Sequence, residues 1–280
     1  AWLQDKGLPP GSRVAIMLPN LPQFAVTMAA VLRAGYTCVN VNPLYTAREL
    51  QHQLKDSAAT AIVILENFAK TLQEVIDHTA IQHTVVASIG DLLGPWYGRW
   101  MTFAVRHLAK MVPEFELSLE GGRTVTPFKK AIAQGRHLNL KPTPQTLDDI
   151  AFLQYTGGTT GLSKGAVLTH RNIVAAMLQA EGWFTPALSS IGDLRKINSI
   201  AALPLYHIFA LTACAVFGAR IGGLLIMVPN PRDIPGFIKL LKSHPGIHIF
   251  PGVNTLFNAL IHRPEFAKIK LPHLLVTIGG

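Results

Sequence analysis

The run Tyr155-Thr-Gly-Gly-Thr-Thr-Gly-Leu-Ser-Lys-Gly-Ala166 concentrates groups that bind oxyanions. Gly157, Gly158 and Gly161 allow backbone conformations closed to other residues and bring N–H groups close to a ligand. Thr156, Thr159, Thr160 and Ser163 add hydroxyl donors, and Lys164 adds a mobile positive charge. Successive N–H groups, hydroxyls and one ammonium form a cradle for a polyphosphate. This is not a Walker A loop, which places Lys directly after its second fixed Gly with Ser or Thr next. Here Lys164 precedes Gly165, and no G-x-G-x-x-G dinucleotide fingerprint occurs. Gly161-Leu-Ser163-Lys-Gly165 does fit G-x-S-x-G, the nucleophile elbow of hydrolases. That elbow starts a helix at its Ser. Gly165–Leu168 instead reads as a second strand and Thr169 as a helix N-cap, so phosphate binding is the favoured reading.

Tyr206-His207 is the second candidate. It follows the strand-like IAALP, and doubly wound folds bind ligands at the carboxyl ends of strands. His207 can donate to a carboxylate or an acyl phosphate oxygen, or simply cap the helix that follows. The apolar segments IFALTACAVF and VNTLFNALI could line an alkyl tunnel or pack a core. His244 and His248 are separated by Pro245 and Gly246 and lack an acidic or Cys partner nearby, so no metal site is expected there. Asp148-Asp149 reads as a solvated turn. Trp96–Val112 has an apolar helical face (Trp96, Trp100, Ala104, Leu108, Met111), with Arg99, Arg106 and Lys110 together on another. Such a helix suits an anionic membrane surface, or packing on its own domain or a dimer partner.

These groups need a scaffold. Val14–Leu18, Thr37–Val41, Thr60–Leu65 and His83–Ala87 are short β-branched runs at regular spacing, the pattern of parallel strands buried on both faces. Asn20 and Pro22 open the helix QFAVTMAAVLRAG, which Gly35 stops, and Thr46-Ala-Arg-Glu49 is a capping box opening the next. From Ile150 the alternation resumes. Ile150–Tyr155, Ser199–Leu203, Leu224–Val228, Ile247–Phe250 and Leu274–Ile278 read as strands. Thr169–Glu181, His207–Ala219, Ile234–Ser243 and Val253–His262 read as helices. The expected fold class is α/β with two doubly wound subdomains. Residues 1–145 form the first, including an irregular connecting segment over about 90–145, and residues 146–280 form the second, carrying the phosphate loop.

Composition narrows the class. In 280 residues, 49% hydrophobic and 15% charged exclude a disordered chain or a coiled coil. The net charge of +9 fits nucleic acid, an anionic membrane or anionic ligands, but no basic run exceeds a pair or so, which argues against nucleic acid. Cys38 and Cys214 are far apart, with no C-x-x-C, so a reducing, cytoplasmic setting is expected. Ile208–Val228 is long enough to span a bilayer. Arg220 and the Gly222-Gly223 break instead favour a buried helix followed by a buried strand. No leader is read at AWLQDKGLPPG. The absence of an initial Met and the position of Gly279-Gly280 after a strand suggest a fragment.

YTGGTTGLSKGA resembles the ATP/AMP signature of the adenylate-forming superfamily, which includes acyl-CoA synthetases, firefly luciferase and peptide-synthetase adenylation domains. LTHRNI (Leu168–Ile173), ALPLYHIFALT (Ala202–Thr212), NPRDIPG (Asn230–Gly236), GVNTLFNAL (Gly252–Leu260) and VNVNPLYTARELQHQLKDS (Val39–Ser57) resemble its bacterial long-chain fatty-acid–CoA ligase branch. The resemblance implies the two-subdomain N-terminal domain of such an enzyme. It implies condensation of a fatty acid with ATP to acyl-AMP, then transfer to coenzyme A, with Mg²⁺ accompanying ATP; medium-chain or aryl acids are the alternative substrates. It places Tyr155, Thr156, Gly157, Gly158, Thr159, Thr160, Gly161 and Lys164 on the nucleotide, with Thr159 or Thr160 a Mg²⁺ contact. His207, Lys164 and Thr159 become catalytic residues, and Tyr206, His207, Gly252 and Val253 contact the acyl substrate. Gly279 and Gly280 start a glycine-rich turn against the adenylate. The Mg²⁺-holding Glu, the ribose-binding Asp and the mobile C-terminal domain with its Lys are absent from these residues. The 280-residue chain alone is therefore expected to turn over poorly. Homodimerisation and a peripheral contact with the inner face of the cell membrane are further expectations.

Overall fold

In the computed structural model, which describes residues 1–156 and 163–280, the β-branched runs become strands close to their expected bounds. They are β1 (Arg13–Met17), β2 (Thr37–Asn40), β3 (Ala61–Leu65), β4 (His83–Ala87), β5 (Thr124–Pro127), β6 (Ile150–Thr156) and β7 (Lys164–Thr169). They form one sheet in the order β5-β4-β3-β1-β2-β6-β7, parallel except for the antiparallel β6–β7 pair. All five side chains of β3 are buried, which is why AIVIL reads as unbroken apolar sequence. Ile62, Ile64, Leu50, Leu54 and Leu72 are completely buried in one cluster, each contributing about 2 kcal/mol by leaving water. The helix Ala47–Asp56 starts as expected. Thr46 Oγ1 accepts from the Glu49 N–H, and the Glu49 carboxylate accepts from the Thr46 N–H.

A second sheet holds β8 (Asn198–Ala201), β9 (Leu224–Met227), β10 (Ile249–Gly252) and β11 (Val276–Gly279), all parallel, in the order β11-β10-β8-β9. Ile200, Phe237, Leu241, Phe250 and Leu260 form its core. The chain divides into one unit of Ala1–Leu18 with Pro22–Arg171 and another of Pro19–Leu21 with Asn172–Gly280.

This division corrects the expected break at residues 145/146. β6 continues the first sheet by pairing with β2 (Cys38↔Phe152, Asn40↔Gln154), and β7 folds back on β6. The strands flanking the expected phosphate segment therefore belong to the first unit. Periodicity locates a strand but does not say which neighbour completes its hydrogen bonds. The expected irregular segment also contains structure, namely β5 and the helix Phe128–Gly135.

Ile208–Val228 forms the expected helix followed by a strand rather than a bilayer span. Helical turns Ile208–Ala210, Leu211–Val216 and Phe217–Ile221 run into Gly222, whose φ of +69° ends the helix, and β9 follows. Among the described residues no helix is long and apolar enough to cross a membrane.

The helix Pro95–Phe103 continues as a π turn, Ala104–Leu108. Of the three basic residues expected on one face, Lys110 lies beyond the helical residues and Arg106 is held in an ion pair. Arg106, half-exposed, donates through Nε at 2.9 Å to the buried carboxylate of Glu66 and through Nη2 to Ser88 Oγ at 3.2 Å. Arg106→Ala would leave that charge without its donors. We expect a loss of about 2–3 kcal/mol, read as a lower denaturant midpoint with unchanged m-value. Pairing it with Glu66→Gln should recover part of the loss, whereas an unshifted midpoint would show the ion pair to be idle.

Candidate active site

β6 delivers Tyr155 and Thr156, and β7 begins at Lys164, directly opposite Thr156. Gly157, Gly158, Thr159, Thr160 and Gly161 lie outside the described residues. Ser163 is followed by a strand, and the next helix, His170–Leu188, starts seven residues on. The topology of a nucleophile elbow is therefore not met. Lys164 is exposed, and no carboxylate among the described residues pairs with it, so its charge is available to an anion.

Both flanks of this segment are held by one helix. The Tyr155 hydroxyl donates to Asp56 at 2.5 Å, and His52 Nε2 lies 2.9 Å from the Ser163 carbonyl. A carbonyl only accepts, so that His52 nitrogen carries the proton. His52 and Asp56 are i, i+4 neighbours on Ala47–Asp56 and so share a face. Burial, reinforced by the Asp56 carboxylate, pushes the Tyr155 hydroxyl well above its ordinary range and keeps it a donor. The ring of Tyr155 lies across Gly165, where an added Cβ would sit 3.0 Å from its Cε2. The residue types alone did not mark His52 or Asp56; their i, i+4 spacing on a capped helix is the signal that could have. His52→Ala is expected to weaken binding of inorganic pyrophosphate, read by titration, roughly fivefold, the scale of one hydrogen bond, with thermal stability nearly unchanged. Unchanged binding would separate His52 from the segment.

The remaining candidates gather at one edge of the second sheet. Strand order reverses between β8 and β10, and at such a switch point the loops after the two strands part to leave a crevice. Tyr206 and His207 follow β8, Gly252 ends β10 with Val253 next, and Gly279 ends β11 beside Gly252. The Gly280 N–H donates to the Gly252 carbonyl at 3.2 Å. The His207 ring is exposed, and its Nδ1 faces the Phe209 N–H at 3.5 Å, a long cap that leaves Nε2 available. Glycine is required at 252 by packing, since an added Cβ would meet the Phe257 ring at 2.5 Å; at 280 it would meet Phe209 at 2.9 Å. Core packing takes up most of the expected tunnel lining: Ala210, Leu211, Cys214, Phe217, Leu256 and Leu260 are all buried. Phe257, Asn258 and Ile261 instead line an open concavity of about 450 Å³ with Asn254 and Thr255.

Asn20, read from sequence as a helix opener, does something else. It is buried, and its Nδ2 donates to the carbonyls of Ala201 (2.9 Å) and Leu203 (2.8 Å). Its Oδ1 accepts from the Leu205 N–H at 2.8 Å. One amide thus fixes the loop that delivers Tyr206 and His207, across a sequence separation that no local pattern reveals.

A largely parallel sheet ending in a Thr- and Lys-flanked antiparallel pair, and a second parallel sheet with a His-bearing switch point, define an α/β class of fold. The profile of the AMP-binding enzyme family matches residues 1–280, and the chain belongs to that family. It is 45% identical over 281 aligned residues to a long-chain-fatty-acid–CoA ligase of Escherichia coli O157:H7 and 43% identical over 282 to one of Haemophilus influenzae. The alignments cover all of this chain and 48% and 49% of those proteins. The chain thus spans about half the length of the curated relatives it matches. The fold is similar to that of the anthranilate CoA ligase AuaEII, solved with anthranoyl-AMP, at a TM-score of 0.76 and 18% identity, covering 99% of this chain and 47% of that one.

Proposed function

We propose that these residues belong to an enzyme that activates a long-chain fatty acid with ATP and passes the acyl group to coenzyme A. The observation that carries the reading is the β6–β7 hairpin, with Tyr155 and Ser163 pinned at its flanks and no carboxylate among the described residues paired with Lys164. A carboxylate is a poor electrophile because an oxide leaves badly. Its oxygen attacks the α-phosphorus of ATP, the bond to the bridging oxygen breaks, and pyrophosphate departs from the acyl-AMP. The thiol of coenzyme A then attacks the acyl carbon, releasing AMP and giving its proton to solvent.

In this reading Thr156 to Lys164 hold the β- and γ-phosphates and the departing pyrophosphate, and stabilisation of that charge is the main catalytic contribution. Gly279 and Gly280 approach the adenylate. Tyr206, Gly252 and Val253 contact the acyl group, and His207 donates to its developing oxyanion. Mg²⁺ suits the hydroxyl-rich segment, with Thr159 the proposed contact. A cytoplasmic location is supported by two free, buried cysteines, of which Cys214 is pushed up to about 12 by burial. Homodimerisation and a peripheral contact with anionic membrane complete the proposal.

The test is pyrophosphate release by the complete gene product. Palmitate should be turned over faster than octanoate or benzoate. Preference for either of the latter would replace the substrate class, and no release with any acid would overturn the adenylation itself.

A further inference from the structure

From Leu92 to Pro113 the chain has no carboxylate, yet it holds Arg99, Arg106, Lys110 and two Trp. Three anchors fix the helix that begins at Pro95 to its own unit. Gly98 packs so tightly on the Gly90 backbone that a Cβ on either would overlap the other's carbonyl oxygen. Arg106 reaches the buried Glu66, and Asn67 Nδ2 donates to the Met111 carbonyl at 3.0 Å. At 3.6 residues per turn, Trp96, Trp100 and Phe103 point away from Gly98. Their exposures are 81%, 58% and 53%, and the run continues through Leu108 (67%) and Met111 (61%). Exposed aromatic and aliphatic surface of this extent is uncommon on a free protein face and marks an interaction site. Arg99 and Lys110 are exposed beside it.

We infer that this face docks on an anionic lipid bilayer, with Trp96, Trp100 and Phe103 in the headgroup region and Arg99 and Lys110 on lipid phosphates. Trp at the water–lipid boundary together with flanking cations is the composition an in-plane helix needs. A second copy is the poorer occupant, because symmetric pairing sets Arg99 and Lys110 against like charge with no carboxylate to offset it. The inference deepens the membrane contact proposed above and rests on that reading, but not on the nucleotide chemistry. It also revises the basic face expected from sequence: Arg106 is an anchor, so the lipid-facing cations are Arg99 and Lys110.

The test is flotation of the complete gene product with vesicles of phosphatidylcholine alone and with phosphatidylglycerol added. Wild type should float with the anionic vesicles only, and less so at high salt. R99E/K110E should weaken partitioning by at least about tenfold, the scale of two removed surface cations. W96A/W100A should weaken it comparably, with circular dichroism unchanged because all four side chains are exposed. Acyl-AMP formation in detergent micelles should be the same for all forms. A wild type that never floats removes the membrane reading altogether. Variants that float like wild type leave membrane binding standing and overturn this surface. A lipid-free dimer broken by W96A/W100A, or Trp96 and Trp100 shielded from iodide quenching without lipid, would assign the face to a second copy or to the chain itself.

Discussion

Lys164→Ala in the complete gene product is expected to slow acyl-AMP formation by on the order of 10²-fold or more, the scale for deleting one preorganised contact to developing charge. Charge accumulates on the pyrophosphate as its bond to the α-phosphorus breaks. The backbone at the start of β7, opposite Thr156, is set by its pairing with β6, so Lys164 starts beside the proposed phosphate segment. The effect should therefore fall on kcat as well as on KM. Lys164→Arg should recover only part of it, because a planar fork replaces a compact point charge. Lys164 is exposed and supports no packing, so the melting temperature should be unchanged. Thr159→Ala should act in the same direction. Single-turnover formation of acyl-AMP separates these effects from coenzyme A transfer, and wild-type rates in Lys164→Ala would remove the lysine from the chemistry.

The second large effect is structural in origin. Asn20→Ala is expected to destabilise the chain by on the order of 3 kcal/mol, because the carbonyls of Ala201 and Leu203 and the N–H of Leu205 lose their shared partner in a buried site. The melting temperature should fall by roughly 5–10 °C. Activity should fall further than stability explains, since the same loop presents Tyr206 and His207. Asn20→Asp keeps the acceptor for Leu205 but turns a donor toward two carbonyls into an acceptor, so it should not rescue. Calorimetry beside acyl-AMP rates checks both parts. A stable Asn20→Ala protein with normal rates would mean that the loop holds itself.

Why did some of this show in the residues and some not? Strands buried on both faces announce themselves: AIVIL has no polar position because the sheet gives it no solvent face. The Thr46–Glu49 cap reads directly because both partners are local. The proposed phosphate segment stands out by residue type alone, because glycines, hydroxyls and a lysine are concentrated there. β5 escaped because it is a four-residue edge strand ending in Pro127. The break between units was misplaced because β6 has the same pattern whichever sheet it joins, and only its pairing with β2 decides. Asn20, His52 and Asp56 do not show as positioning groups because their partners lie 181–185, 111 and 99 residues away, respectively. The helix from Pro95 shows its cations in sequence, but Glu66, which claims one of them, lies directly after β3.

The most direct measurement is a crystal structure of the complete gene product with a non-hydrolysable ATP analogue and Mg²⁺. The account predicts the β- and γ-phosphates within hydrogen-bond distance of the backbone between Thr156 and Lys164, with the Lys164 ammonium on a phosphate oxygen. Phosphates bound elsewhere, with Lys164 still in solvent, would contradict it.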